Sequence, residues 1–213
     1  MVFRVSSLLF APRRFFERER ADLGVLGPFL VLIATGSITL GGQLLLVSMS
    51  VIGDSSTLAY VTSILRVELP AITVAGALVS FGHVFVYWVG YAAIFHGGTW
   101  PFSNDGQFRD VFLLTGWGFL PWFLTGLVWL VAMIGSAQIT PAPTTPAESD
   151  IFVRQVQETT LVRGARMVDS VGMVWSLWLW GSMLRAVRDV TWPQAALAVL
   201  PVAVFEFAKL VLL

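Results

Sequence analysis

The stretch GQFRDVFLLTGWGFLPWF, residues Gly106–Phe123, decides the class of fold. It opens with a glycine and an Arg109–Asp110 pair and continues as an apolar run to about residue 134. A run of about 20 apolar residues can cross the hydrocarbon core of a bilayer as a helix. An acidic residue suits the positive end of such a helix, and an arginine suits the headgroup layer. The stretch therefore predicts a turn that leads into a membrane-spanning helix.

Two glycines and a proline interrupt the apolar run, at Gly116, Gly118 and Pro121. Small residues let a neighbouring helix come close, whereas a proline removes a backbone donor and bends the helix. We therefore predict that these residues serve helix packing and a kink. The dipeptide Asp105-Gly106, directly before Gln107, is typical of a tight turn.

The composition places the whole chain in the membrane class. Of 213 residues, 56% are hydrophobic and 12% are charged, and the mean hydropathy is +0.79. Thirteen basic and thirteen acidic residues cancel, so no global field attracts nucleic acid. There is no cysteine for disulfides or thiolate sites, and the two histidines, His83 and His96, are spaced too far apart on one helix for a shared metal. We predict no metal, no cofactor and no nucleic-acid partner.

Predominantly apolar segments recur along the chain, and each is long enough to cross a bilayer. The predicted fold class is all-α: a polytopic membrane bundle of five transmembrane helices, preceded by a basic, amphipathic interfacial arm at residues 1–23. The membrane domain covers residues 24–213 and includes a polar extracytoplasmic loop at about residues 135–166, since TPAPTTPAESD (Thr140–Asp150) is too rich in proline for a membrane helix. The predicted spans lie at about residues 24–53, 69–95, 111–134, 167–187 and 193–213.

Basic residues set the predicted orientation. With the amino terminus inside, eight basic residues fall on the cytoplasmic side and five fall outside. Because Lys and Arg are enriched in cytoplasmic loops, we predict a multi-pass protein of the cytoplasmic membrane with its amino terminus inside and its carboxyl terminus outside.

The amino-terminal arm interleaves arginines with aromatic residues. This pattern fits an interfacial helix with its aromatic rings in the headgroup layer and its arginines on the polar side. A disordered basic tail is the alternative interpretation. Anionic headgroups are the predicted ligands, and the candidate contacts are Arg13, Arg14, Arg18 and Arg20.

Polar residues recur along the second predicted span at spacings of three or four. This spacing gathers Ser80, His83, Tyr87 and Tyr91 on one stripe of the helix. One interpretation is a packing seam, in which hydroxyl and imidazole groups find partners on other helices. The other is that His83 relays protons or contacts a substrate in the membrane.

The last predicted span contains an acidic and a basic residue, Glu206 and Lys209, at a spacing that permits a pair on one helix face. A carboxylate in a membrane is a candidate functional residue, but the nearby lysine offers a structural explanation. Asp169 falls at the start of the fourth predicted span, where a carboxylate suits the helix end. The sequence shows no nucleophile elbow, phosphate loop, zinc-protease motif or dinucleotide fingerprint. We therefore predict no catalytic residues.

Three parts of the chain are similar to the motifs of a known family. SSLLFAPRRFFER (Ser6–Arg18) joins an apolar turn to a proline and paired aromatics. FHGG (Phe95–Gly98) and the later GQFRDVFLLTGWGFLPWFLTGL (Gly106–Leu127) combine a glycine turn, a Phe beside a basic residue, and a glycine-containing and proline-containing apolar run. WSLWLWGSMLRAVRDVTWPQAALAV (Trp175–Val199) carries a basic turn before an Ala-rich helix. In this order, over nearly the full length, the chain resembles the Yip-one family of Ypt/Rab-interacting membrane proteins, in particular its prokaryotic members.

The resemblance implies a non-enzymatic membrane protein with five spans. Eukaryotic members of the family act in membrane traffic through Rab-type GTPases and hetero-oligomeric partners, a role that does not pass directly to a prokaryotic relative. We expect a scaffold or organiser that binds membrane lipids, a membrane-protein partner or a second copy of itself. The alternative is a small-solute or ion transporter or channel that uses the polar stripe of the second span.

Overall fold

The computed structural model describes residues 7–8, 10–22, 24–51, 71–103, 106–141, 143 and 148–212, and within these ranges the regular secondary structure is helical throughout. The α-helices in chain order are α1 Pro12–Asp22, α2 Leu26–Val51, α3 Ala71–Thr99, α4 Phe108–Thr115, α5 Leu120–Ile139, α6 Ser149–Glu158, α7 Thr160–Val187 and α8 Trp192–Leu212. A 3-10 turn, Gly116–Phe119, joins α4 to α5.

Three segments of the described chain are long and apolar enough to cross a membrane: Leu26–Leu46 of α2, Ala75–Thr99 of α3, and Phe108–Ile139, which runs from α4 through α5. They overlap the first three predicted spans, and the described residues confirm the all-helical class with three candidate membrane spans. The crossing of the membrane by α7 and α8 stays a prediction. Parts of the predicted arm, spans and loop, at residues 1–6, 9, 23, 52–53, 69–70, 142, 144–147 and 213, lie outside the described residues, as does Asp105.

The helices extend beyond several of the boundaries expected from the sequence. α3 continues past residue 95 to Thr99, and α5 continues past residue 134 to Ile139. The segment expected to be a polar loop, residues 135–166, contains α6 and the first turns of α7. Phe152 and Val156, four residues apart on α6, are both buried, so this helix is amphipathic and is stabilised by packing.

The chain divides into two compact units. The first unit comprises Met1–Ile33, Phe85–Pro121 and Met173–Leu213, and the second comprises Ala34–Val84 and Trp122–Gly172.

The second unit has an aliphatic core to which several helices contribute. Apolar side chains of α2, α5, α6 and α7 form one buried cluster, consisting of Leu45, Met49, Met133, Ala137, Phe152, Val156 and Val162. A hydrogen bond joins Thr125 Oγ1 to Asp169 Oδ1 at 2.8 Å. Asp169 is therefore not the helix-start carboxylate expected from the sequence: α7 already begins at Thr160, and this carboxylate accepts a hydroxyl from α5.

The first unit has an aromatic core. The side chain of Trp180, on α7, is fully buried and lies 5.4–5.6 Å, between ring centroids, from Tyr91, Phe95 and Phe119. Its indole Nε1 donates to the carbonyl oxygen of Thr115 at 2.9 Å. A buried tryptophan that has a partner for its N–H packs without loss of a hydrogen bond, and so Trp180 fixes α7 against the end of α4.

The 3-10 turn shows how the proline acts in the third predicted span. Pro121 has no N–H to donate to the carbonyl of Trp117, four residues earlier, and that oxygen instead accepts from the N–H of Leu120. Such i→i+3 bonding tightens the helix locally. The irregularity predicted at Pro121 therefore takes the form of a 3-10 turn on the amino-terminal side of the proline, at Gly116–Phe119.

Candidate functional site

The amino-terminal arm is held to the first unit by its aromatic residues. Phe15 and Phe16 are buried, and the ring of Phe15 meets Trp117 edge to face at 5.1 Å. These two rings therefore contact the protein, and the expectation that they lie in the headgroup layer is wrong for them. An amphipathic helix buries its apolar stripe wherever a matching surface is available, and Trp117 provides one here.

The four candidate arginines of the arm fall into two groups. Arg13, Arg14 and Arg18 are exposed on α1, and Arg13 Nε lies 2.8 Å from Glu17 Oε1. Because this pair is on the surface and about half exposed, its contribution to stability is small. The fourth arginine, Arg20, is partly buried and makes contacts within the protein.

Arg20 joins three segments of the first unit. Its Nε lies 3.7 Å from Asp110 Oδ2 on α4, and its Nη1 donates to the carbonyl oxygen of Ala186 on α7 at 3.4 Å. Asp110 lies in the first turn of α4, as expected for a helix-start carboxylate, and it is buried. The arm, the α3–α4 turn and the end of α7 thus meet at Arg20, and we call this contact the arm junction.

A second arginine, Arg188, closes the turn between α3 and α4. It is 2% exposed, and its guanidinium donates from Nε to Thr99 Oγ1 at 3.2 Å, from Nη2 to the Ser103 carbonyl at 2.7 Å, and from Nη1 to the Gly106 carbonyl at 2.6 Å. The planar guanidinium carries its donors on three nitrogens and so meets three separated acceptors, whereas an ammonium has all its donors on one nitrogen. Gly106 has φ +80°, a conformation that favours glycine.

The predicted polar stripe divides into two groups with separate partners. In the second unit, Ser80 Oγ donates to the Gly76 carbonyl at 2.9 Å, and His83 Nδ1 contacts the Ser80 carbonyl, so both use acceptors of their own helix. In the first unit, the rings of Tyr87 and Tyr91 stack in parallel, 5.6 Å apart.

Tyr91 and Tyr87 both contact the predicted pair on α8. The Tyr91 hydroxyl donates to Glu206 Oε1, and Lys209 Nζ lies 2.8 Å from Glu206 Oε2. The same ammonium lies 4.7 Å from the centre of the Tyr87 ring and 5.2 Å from that of Phe205, within the range of cation–π attraction. We call these five residues the α3–α8 cluster. Each oxygen of the carboxylate has a partner, which lowers the cost of burying its charge.

The α3–α8 cluster lies inside packed aromatic residues. Tyr91 is 4% exposed, and its ring stacks on Phe119 at 6.1 Å besides meeting Trp180. A path for a solute requires polar side chains that converge on a water-filled space. The described contacts instead form a packing seam between α3 and α8, so they give no support to the alternative of a transporter or channel.

The two glycines of the decisive stretch allow close approach within the first unit. A Cβ added at Gly116 would lie 2.8 Å from Cβ of Pro28, and one added at Gly118 would overlap Nε1 and Cδ1 of Trp180 and lie 2.5 Å from Cε2. Both glycines therefore sit where the sequence predicts helix packing, one against α2 and the other against α7.

Sequence reasoning missed two buried donors of the first unit, Arg188 and Trp180. The motif RAVRD contains two arginines three residues apart, and nothing in their spacing tells which of them is buried. In the structure Arg185 lies over the ring of Trp192 at 4.7 Å, whereas Arg188 turns inward. Among the described residues, no group of three or more His, Asp or Glu side chains could hold a metal ion.

Comparison with known proteins gives one match. The family model described as the Yip1 domain matches residues 6–213 of the chain. No curated protein and no solved structure shows significant similarity to it.

Proposed function

Because the chain belongs to the Yip1 family of membrane proteins, we propose that it is a non-enzymatic scaffold of the cytoplasmic membrane whose α1 helix binds anionic lipid headgroups. One observation supports the proposal above others. Arg13, Arg14 and Arg18 are exposed on a short helix whose other side is buried through Phe15 and Phe16. A fixed row of exposed cations at the end of a membrane protein attracts anionic headgroups.

The arm junction adds to this argument. Arg20 connects α1 to Asp110 and to the carbonyl of Ala186. α1 is therefore already ordered in the folded protein, and lipid binding does not have to order it. The exposed arginines would act together as one surface toward lipids and toward a membrane-protein partner or a second copy of the chain.

A lipid-selectivity measurement tests the proposal. The protein is reconstituted in bilayers that contain spin-labelled phosphatidylglycerol or phosphatidylcholine, and the fraction of each lipid immobilised by the protein is compared. Each cation near an anionic surface contributes about 1 kcal/mol, an attraction that salt weakens. We expect wild-type protein to prefer phosphatidylglycerol and the triple variant Arg13→Gln, Arg14→Gln, Arg18→Gln to lose most of that preference.

The matched control keeps the charge and changes only the side chain. A variant with Lys at these three positions should retain the preference, because headgroup attraction at a surface depends mainly on charge. Arg20 is left unchanged in both variants, since its replacement would disturb the arm junction. An unchanged preference in the triple Gln variant would show that α1 does not bind anionic lipid.

The proposal also assigns an orientation. We place the arm, the α3–α4 turn and the α7–α8 turn on the cytoplasmic side and the carboxyl terminus outside, with five spans. Support comes from Arg20 and Arg188, whose contacts bring these three segments together in the first unit, as segments on one side of a membrane require.

Cysteine accessibility tests the orientation directly, since the chain has no cysteine of its own. A cysteine at Ala21, exposed on α1, should react with a membrane-impermeant maleimide only after the cells are permeabilised. A cysteine at Gln155, exposed on α6, should react in intact cells. The opposite pattern would reverse the proposed orientation.

A further inference from the structure

Four aromatic side chains of the first unit are exposed around the α3–α4 turn and at the start of α8. Trp100, Phe102 and Phe108 surround the α3–α4 turn and are 65%, 39% and 44% exposed, and Trp192, at the start of α8, is 42% exposed. We call these four residues the aromatic rim. In the sequence they are separated by up to 92 positions, so their exposure at the ends of α3, α4 and α8 is a property of the fold.

The candidate spans show what surrounds the rim. One candidate span ends at Thr99, directly before Trp100, and the next begins at Phe108. If these two candidate spans cross the bilayer, Trp100, Phe102 and Phe108 lie where they leave the hydrocarbon core. Tryptophan and tyrosine are enriched at this depth, because each has an apolar ring and one polar group that can face the wet side.

The turn that carries the rim is ordered from within. Phe102 and Ser103 each donate a backbone N–H to the Thr99 carbonyl, at 3.0 and 3.1 Å, and Arg188 holds the carbonyls of Ser103 and Gly106 from the opposite side. The His96 ring supports two rim residues, edge to face, at 5.8 Å from Trp100 and 5.3 Å from Phe108. The rings of Trp100 and Phe108 are thus packed against α3 in the folded protein.

We propose that the aromatic rim binds the headgroup layer of the bilayer and fixes the depth at which the first unit sits in the membrane. The ligand is the interface itself: glycerol and headgroup atoms for the indole N–H groups of Trp100 and Trp192, and the upper acyl chain for the ring faces. Arg109, exposed beside Phe108, is at the same level and can contact lipid phosphates. This inference requires only that α3 and α4–α5 cross the membrane, and it holds whether or not the α1 arginines select anionic lipid.

A depth measurement by spin labelling tests the proposal. Gly97 is exposed one turn before Trp100, and a Cβ added there meets no atom within 4 Å, so Gly97→Cys can carry a label with the rim intact. Val89→Cys, at an exposed position about 12 Å further into α3 at about 1.5 Å per residue, is the deep reference. Both proteins are reconstituted in zwitterionic bilayers, and collisions of each label with oxygen and with a water-soluble nickel chelate are compared.

We expect the Val89 label to collide mainly with oxygen and the Gly97 label to collide with both reagents, as at the interface. In the Gly97→Cys background, Trp100→Ser together with Phe102→Ser should raise the nickel collision rate severalfold, since the loss of two rings lets the turn move toward water. Pro101→Ser is the control: the residue lies between them in the same exposed turn and carries no aromatic ring, so its replacement should leave the nickel collision rate unchanged.

Two results would overturn the proposal. The first is a Gly97 label that meets nickel as freely as a label in water, which would place the rim outside the bilayer. The second is an equal response to the double Ser variant and to Pro101→Ser, which would show that the rings do not set the depth.

Discussion

Gly118 offers the sharpest test of how the first unit is packed. A Cβ at this position would overlap two atoms of the Trp180 indole, which is fully buried and donates its N–H to the Thr115 carbonyl. In Gly118→Ala the indole has to move, and the three rings around it and the Thr115 carbonyl leave it little space. The substitution therefore combines overpacking with the loss of a buried hydrogen bond.

The magnitude follows from these two effects. Overpacking of a dense core costs about 1–3 kcal/mol, and a buried donor left without its acceptor costs about 1–3 kcal/mol. Alanine recovers up to about 1 kcal/mol through its better helix propensity. We expect Gly118→Ala to lower the free energy of unfolding by about 1–6 kcal/mol, measured in mixed micelles by titration with a denaturing detergent and followed by circular dichroism.

Gly90→Ala is the matched control. Gly90 lies in α3, in the same unit, and a Cβ there meets nothing within 4 Å, so alanine should be neutral or should stabilise by up to about 1 kcal/mol. A double-mutant cycle with Trp180→Phe adds a second test, because the smaller ring leaves space for the added methyl and the two losses should not add. Equal stability of Gly118→Ala and Gly90→Ala would refute the packing argument.

Three further changes test the polar contacts of the first unit by the same titration. Glu206→Gln should lower the free energy of unfolding by about 1–3 kcal/mol, less than the roughly 3–5 kcal/mol of a fully buried pair, because Lys209 is 30% exposed. Gln at both positions should recover part of the loss. An unchanged unfolding midpoint for Glu206→Gln would mean that the pair contributes nothing to stability. Arg188→Lys should lower the free energy of unfolding by about 2–4 kcal/mol and expose the α3–α4 turn to proteases, because one ammonium cannot reach all three acceptors. Protease resistance equal to that of the wild-type protein would contradict this prediction. Gly106→Ala should lower the free energy of unfolding by about 1–2 kcal/mol, because φ is +80° and the methyl would lie 2.7 Å from the Val187 carbonyl oxygen. An unchanged free energy of unfolding would show that the turn adapts to the methyl group.

The local sequence was sufficient to predict the structure wherever contacts between neighbours along one helix determine it. The apolar runs predict the three candidate spans because length and hydropathy are properties of the segment itself. Glu206 and Lys209 pair because three residues of helix bring them together. The spacing of Gly116 and Gly118 indicated close packing, since small residues have few other uses within an apolar helix.

Contacts between distant segments could not be read in the same way. Nothing near Tyr91 in the sequence indicates that its hydroxyl reaches Glu206, 115 positions later. Phe15 has the same surroundings in the sequence whether its ring enters lipid or packs on Trp117. The choice depends on which surface the rest of the fold leaves open, and periodicity carries no information about that surface.

The Arg188 contacts also bear on how the protein is made. The acceptors that it satisfies at Thr99, Ser103 and Gly106 precede it by 89, 85 and 82 positions. At a synthesis rate of about 5–20 residues per second, the ribosome adds the arginine roughly 4–18 s after these acceptors. During that interval the two carbonyls in the turn need water or an insertion factor as a partner, so the turn reaches its final form only when α7 has joined the helices made before it.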